Sequence, residues 1–247
     1  MTMRAILALV VAALVLARPA PGAATQLVAD LSSREIAITT GFAGTELLLF
    51  GAVDGPGDII VVVRGPRRDQ IVRRKVEVAG IWINGPSARF ADVPAFYWVA
   101  STGPLTDIAE PAFLAEREIG FAQLRMPSAD GRSAAATAPF RTAMVRLKDR
   151  VDLYEETTGV VVAADRLFRT SVVFPANLPT GDYRAEVYLL RDKRLVSTET
   201  IVIDVHRVGL GARIHGFATR DAALYGIMAI AIALVAGWLA GVIFRKG

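Results

Sequence analysis

The stretch from Ala222 to Phe244 contains no charged residue, follows Arg220 and Asp221, and is closed by Arg245 and Lys246. Hydrocarbon offers no partner to an exposed backbone N–H or C=O, so a chain that crosses it as a single segment must be helical. About 20 apolar residues cover the roughly 30 Å core of a bilayer. The run predicts a transmembrane helix over 222–244. That constrains the rest of the chain, since whatever precedes the span must fold on one side of a membrane.

The amino terminus decides which side. Met1 to Arg4 carries one positive side chain, Ile6 to Leu16 is an unbroken apolar run, and Arg18 to Ala24 ends in small residues, with Gly22 and Ala24 at the spacing a signal peptidase reads. Residues 1–24 are therefore expected to be a secretory signal; an uncleaved anchor would export the middle of the chain equally well. Arg245 and Lys246 favour a cytoplasmic tail at 245–247, while Arg213 and Arg220 oppose that bias, so the leader must dominate. The expected topology is a single-pass membrane protein. Residues 25–205 are expected to form the exported domain, 206–221 a juxtamembrane linker and 245–247 a cytoplasmic tail too short to act as an effector.

Composition is informative once the leader is set aside. Arg4 and Arg18 account for two of the 28 basic residues, leaving 26 against 24 acidic ones, so the exported part is close to neutral. The pI near 9.7 does not argue for nucleic acid, and no basic stripe interleaved with aromatics is present. Cysteine is absent, which excludes a disulfide framework, thiol nucleophiles, thiolate metal sites and haem attachment. The exported domain has to hold together through an ordinary core, for which about 195 residues suffice.

From Gln26 to Ala100 the pattern is strand-like. Glu35 to Thr39, Thr45 to Gly51, Asp58 to Arg64 and Ile71 to Val78 are short β-branched runs separated by Gly41, Gly44, the Asp54-Gly-Pro-Gly turn and Gly65-Pro66. This spacing predicts a β-sandwich. Between about 105 and 156 the period becomes helical. Phe140, Met144, Leu147, Val151 and Tyr154 recur at spacings of four and three, which predicts an amphipathic helix opened by Pro139 and ended by Gly159. An earlier helix is expected over Pro111 to Leu124, with Pro111 in its first turn. From Val160 to Val205 strands return as an expected meander: Val160 to Ala163, Phe168 to Phe174, Tyr183 to Leu190 and Leu195 to Val205, with turns at Leu178 to Asp182 and Arg191 to Lys193. The fold class is thus mainly β: an Ig-like β-sandwich with a helical insertion at about 105–156, followed by one transmembrane helix. Two small sandwiches are the alternative. Tyr183, just past Gly181 at the start of a strand, stands where a tyrosine corner would, its hydroxyl tying back to the preceding loop; a plain core aromatic is the other reading.

The segments Leu167 to Ser171, Pro175 to Asp192, Leu224 to Gly226 and Ala236 to Ala240, closing in Phe244-Arg-Lys, together with Gly41 to Gly51, resemble the alphaproteobacterial putative transmembrane protein family. The resemblance covers nearly all of the chain after the leader. It implies lineage and topology rather than a reaction: a protein of the cytoplasmic (inner) membrane of a Gram-negative bacterium with residues 25–205 in the periplasm, and a transport-accessory role beside a permease of the anion- or sulfite-exporter kind.

Residues with catalytic potential are sparse. The two histidines, His206 and His215, lack the i, i+4 spacing of a pair of ligands on one helix face. No Gly-x-Ser-x-Gly elbow and no phosphate loop occur; Gly209-Leu-Gly-Ala reads as a hinge. Asp54 and Asp58 do not supply a cation loop and are better explained by a turn. No metal, cofactor or catalytic residue is therefore expected. Trp82, Tyr97 and Trp98 would line an aromatic groove if they converge, or pack in the core if they do not. In the span, Ala229, Ala233, Gly237 and Gly241 form a small-residue stripe at intervals of four that would admit a second helix; lipid contact is the alternative. The pattern fits a non-catalytic accessory or interaction module best. Its partners would be the lipid bilayer and either a polytopic membrane protein or a second copy of the chain, with no nucleic acid. A periplasmic ligand-binding or sensing module is the alternative, and an enzyme fits least.

Overall fold

The computed structural model describes residues 27–209 and 222–244, with side chains in the second segment described over 225–241. In chain order the strands are β1 (Leu27–Leu31), β2 (Glu35–Ile38), β3 (Gly44–Val53), β4 (Asp58–Arg64), β5 (Arg67–Val78), β6 (Ile81–Pro94) and β7 (Tyr97–Ser101). After helices α1 (Leu105–Ile108), α2 (Pro111–Glu116) and α3 (Ala134–Asp149) come β8 (Tyr154–Thr157), β9 (Val161–Ala163), β10 (Leu167–Pro175), β11 (Gly181–Arg191) and β12 (Arg194–Arg207), and then helix α4 (Ala222–Phe244). The fold is mainly β.

Every residue from Ile59 to Val63 is wholly buried, which a strand achieves only when both its faces are covered. Their strand, β4, lies inside a six-stranded sheet of order β2-β12-β11-β4-β7-β8, which faces a four-stranded sheet of order β1-β3-β10-β9. One core joins Leu27, Leu49, Phe168, Val172 and Phe174 of the smaller sheet to Val61, Val63, Val187 and Ile203 of the larger. Each sheet draws strands from both ends of the described domain, so the early and late strands form one sandwich. The late strands are not a meander as expected: β10 pairs with β3 and β9 in the small sheet, whereas β11 and β12 pair in the large one.

The second face of β4 is covered by the insertion. β7 and β8 pair in parallel, a connection that needs a crossover, and residues 105–153 supply it. Ile108, Leu114, Ile119 and Leu124 of that segment are buried in the main core, and the Phe113 ring meets Tyr188 of β11 edge-on at 5.6 Å. The helix expected over Pro111 to Leu124 stops at Glu116. Glu118 and Gly120 adopt positive φ, 53° and 90°, and Ile119 N–H donates back to Leu114 C=O, which turns the chain out of the helix.

The amphipathic helix is also displaced. Pro139 lies inside α3 rather than opening it. The helix begins at Ala134, capped by Ser133, whose hydroxyl accepts from Ala136 N–H. It ends at Asp149, ten residues before Gly159, and Tyr154 already belongs to β8. Of the expected stripe Phe140 and Met144 are buried, but Leu147 and Val151 are exposed.

The run Ile71 to Val78, expected as a sandwich strand, instead belongs to a hairpin. β5 and β6 pair with each other in a two-stranded sheet, tied to the insertion by an isolated bridge between Phe90 and Ser128. Their turn, Ala79-Gly80, has both residues at positive φ, 51° and 81°, the geometry that matches the twist of a tight hairpin. A two-stranded ribbon is marginal alone. This one is braced near its base by a second core, in which Val72, Ala88, Phe90 and Val93 pack on Phe140 and Met144 of α3.

The expected leader at 1–24, the greater part of the linker (210–221) and the tail at 245–247 lie outside the described residues.

Candidate functional site

The densest polar cluster sits where the insertion meets the large sheet. Arg64, at the end of β4, is ion-paired with Glu186 of β11. It also donates to the carbonyls of Arg117, at 2.6 Å, and Glu118, at 3.3 Å. Glu186 accepts from the Tyr188 hydroxyl at 3.0 Å. Tyr97, the first residue of β7, donates its hydroxyl to Glu118 C=O at 2.7 Å and accepts from Gly120 N–H at 2.9 Å. Burial pushes the Tyr97 phenol well above its ordinary pKa, with the nearby Arg64 guanidinium acting in the opposite direction. A phenol held neutral in this way is no general base near neutral pH. No buried side-chain polar atom among the described residues lacks a hydrogen-bond partner, those of the cluster included. Its chemistry is that of a clamp holding residues 117–121 on the sheet.

Tyr183 behaves like a clamp as well. Its hydroxyl donates to Pro179 C=O at 2.6 Å, and its ring packs on Phe96 and Phe174 at 5.6 and 6.1 Å. Burial raises its pKa too.

The three aromatics of the proposed groove do not converge. Successive strand residues point to opposite faces, so Tyr97 turns toward the insertion, against Phe121 and Tyr154, while Trp98 turns toward the four-stranded sheet. The Trp98 indole N–H donates to Glu155 at 3.0 Å. It borders an open groove of about 460 Å³ shared with Leu48, Thr157 and Arg169. Trp82 lies near the tip of the hairpin, 64% exposed. A larger open groove, of about 530 Å³, runs between Phe121 and the Arg141, Val145 and Asp149 side of α3.

Two apolar surfaces stand uncovered by the described residues. Val28, Leu48, Phe50, Leu167 and Val173 are exposed on the outer face of the four-stranded sheet, and Val78, Ile81, Trp82 and Ile83 at the hairpin tip. Sequence reading missed the tip, although Ala79-Gly80 between two β-branched runs signals a two-residue turn. It also missed the Arg64 clamp, because nothing in the spacing of Arg64, Glu118 and Glu186 reveals that a crossover brings them together.

The stripe residues Ala229, Ala233, Gly237 and Gly241 all lie on α4 and are exposed. Among the described residues, a Cβ built on Gly237 or Gly241 meets nothing within 4 Å. Counted over the fully described residues alone, no helix is long and apolar enough to cross a membrane. For α4 those residues are 225–241, a stretch shorter than the roughly 20 that a span needs.

Over residues 26–246 the sequence matches the family described as putative transmembrane protein, Alph_Pro_TM. The chain belongs to this family. No curated protein matches it.

Among the described residues of this Alph_Pro_TM chain, no group of three or more metal-ligating side chains is placed to hold an ion. His206, near the end of β12, bridges Glu35 of β2 and its own strand's Asp204 at 3.2 and 3.1 Å. That contact reinforces the parallel edge pairing of β2 with β12. His215 lies outside the described residues.

Proposed function

We propose that the chain is a single-pass inner-membrane protein that holds an Ig-like β-sandwich in the periplasm. In this reading it serves as a non-catalytic accessory to a membrane partner such as a permease of the anion- or sulfite-exporter kind. The observation that carries the reading is α4, which runs for 23 residues without a charge. At 1.5 Å per residue it is about 34 Å long, enough for a hydrocarbon core of about 30 Å. Membership of a family described as transmembrane supports the same assignment.

The small residues of α4 make the partner testable. Among the described residues nothing outside the helix itself lies within 4 Å of a Cβ at Gly237 or Gly241, so a bulkier residue there is expected to disturb a neighbouring helix and not the described fold. The test is affinity purification of the wild type, Gly237→Ile and Gly241→Ile from detergent-solubilised membranes, together with alkaline carbonate extraction. The expected result is a chain that resists carbonate in all three forms and a polytopic protein that co-purifies with the wild type only. Release by carbonate overturns the span; an unchanged co-purification profile overturns the helix interface.

A ligand-binding role has the groove beside Trp98 in its favour. The indole N–H there already donates to Glu155, which leaves the aromatic no polar handle to offer a ligand, and the accessory reading is preferred.

A further inference from the structure

We propose that the tip of the β5–β6 hairpin docks into the interface of a bilayer that carries anionic lipid, giving the domain a second membrane contact besides α4. The tip is apolar and open to solvent: Val78, Ile81, Trp82 and Ile83 are 54, 66, 64 and 45% exposed. Strand alternation puts Val76, Val78, Ile81 and Ile83 on one face, since Val78 pairs with Ile81 and Val76 with Ile83. Trp82 lies on the other face, opposite Glu77. An exposed tryptophan among β-branched residues suits the water–lipid boundary, where an indole keeps its ring apolar and its N–H wet.

Charge selects the occupant. Arg73, Arg74, Lys75 and Arg89 follow the apolar tip along the shank, and Glu77 is the one acid between Ile71 and Phe90. Arg73 and Lys75 are exposed, and neither is ion-paired among the described residues. A register shift between Arg73 and Lys75 marks a bulge there, which breaks the regular alternation. A basic collar behind an apolar tip complements an anionic headgroup layer above hydrocarbon. A second copy of the hairpin would bring the same cations together, so self-pairing is disfavoured.

The hairpin is also built to hold its tip away from the domain. Its base is fixed by Phe140 and Met144 of α3, by Arg74 stacked over the Phe140 ring at 5.5 Å, and by Arg132 donating to Ser87 C=O at 2.7 Å. From Ala88, the wholly buried residue of β6 nearest the tip, to Ile81 the strand reaches about 23 Å. An unbraced apolar loop would fold back on the sandwich, where the exposed face of β3 and β10 offers apolar surface.

The inference rests on the membrane-tethered reading, and the test separates the two. The chain has no cysteine, so Trp82→Cys in the full-length protein accepts a single environment-sensitive fluorophore, and Thr198→Cys, on the exposed part of β12, serves as the control. Both are reconstituted with vesicles of phosphatidylcholine alone or mixed with phosphatidylglycerol. Flotation reports α4. The expected result is flotation with either lipid, a blue shift at position 82 only with phosphatidylglycerol, quenching of that signal by spin-labelled acyl chains, and no change at 198. Arg73→Gln and Lys75→Gln should each weaken the docked signal by about fivefold. A probe at 82 that stays aqueous in floating, phosphatidylglycerol-containing vesicles overturns this proposal alone. Failure to float with either lipid overturns both readings. A blue shift without acyl-chain quenching assigns the tip to a protein neighbour and overturns the lipid assignment.

Discussion

Tyr97→Phe removes one oxygen and should cost far more than the loss of one oxygen at Tyr183. The Tyr97 side chain is 0% exposed, and its hydroxyl serves two backbone groups, Glu118 C=O and Gly120 N–H. The phenylalanine ring keeps the contacts with Tyr154 and Phe121 at 5.8 and 6.1 Å, so the apolar contribution is unchanged. Glu118 C=O retains Arg64 as a donor. Gly120 N–H is left buried without an acceptor, which costs about 1–3 kcal/mol, and the bond to Glu118 adds about 1 kcal/mol. The expected destabilisation is about 2–4 kcal/mol. Tyr183→Phe loses a single bond, to Pro179 C=O; that proline is half-buried, so water can replace the lost donor and the cost is about 1 kcal/mol. The assay is denaturant unfolding of the full chain in detergent, with Trp98 left as the fluorescent reporter by Trp82→Phe and Trp238→Phe. Hydrogen exchange at Gly120 gives an independent readout, with protection falling about 30-fold for 2 kcal/mol. If Tyr97→Phe costs no more than Tyr183→Phe, the clamp between sheet and insertion is not the stabilising contact that its geometry implies.

Three further outcomes follow from particular contacts. Gly51→Ala would drive a Cβ into Val28 C=O and to 2.5 Å from the Phe168 ring, so β3 must move; a loss of about 3 kcal/mol or more is expected in the same unfolding assay. Ser133→Ala removes the cap of α3 and should cost about 1 kcal/mol, measured as loosened exchange of the Ala136 amide. Burial raises the phenol pKa values of Tyr97, Tyr154 and Tyr183, so on alkalinisation the unfolded chain gives up these protons first. Their contribution is complete below pH about 10 and is lost above it, with a limiting slope of about 4 kcal/mol per pH unit for the three together. An unfolding midpoint that stays flat between pH about 9 and about 12 would contradict this.

What the sequence revealed follows the range of the forces involved. Strand positions are short-range, and Asp58 to Arg64 or Tyr183 to Leu190 could be read from β-branched runs and turn residues alone. The assignment of β10 to one sheet and β11 to the other could not, because a tight connection at Leu178 to Asp182 looks the same whether it joins neighbours or crosses between sheets. The stripe on α3 was visible, but periodicity names the buried face and not what covers it, and the cover proved to be the hairpin. Pro139 misled because a proline suits a first turn, while the cap at Ser133 gives α3 an earlier start. Trp82 and Trp98 looked like a pair through shared chemistry, although one strand reversal separates them. The small-residue stripe at Ala229, Ala233, Gly237 and Gly241 needed only the helical repeat to be legible.

The insertion has two mechanical roles, and they meet in one side chain. Residues 105–124 cover the outer face of β4, β7 and β11, whereas α3 braces the hairpin. Between them stands Arg67 at the first position of β5. It donates to Asp92 of β6 at 3.0 Å and to Glu118 of the clamped turn at 2.8 Å, and Arg125 adds a second cation to Glu118 at 3.5 Å. Arg67 is exposed, so neither pair contributes much stability by itself. Their effect is geometric, because Glu118 is held by the Tyr97 hydroxyl through its carbonyl and by Arg67 through its carboxylate. The root of the hairpin is thereby referenced to the rigid sheet rather than to a loop. A hairpin that only filled space would not need this second anchorage, since its base already packs on Phe140 and Met144. A hairpin that presents Trp82 at the end of a long lever does need it, because small rotations at the root become displacements of many ångströms at the tip.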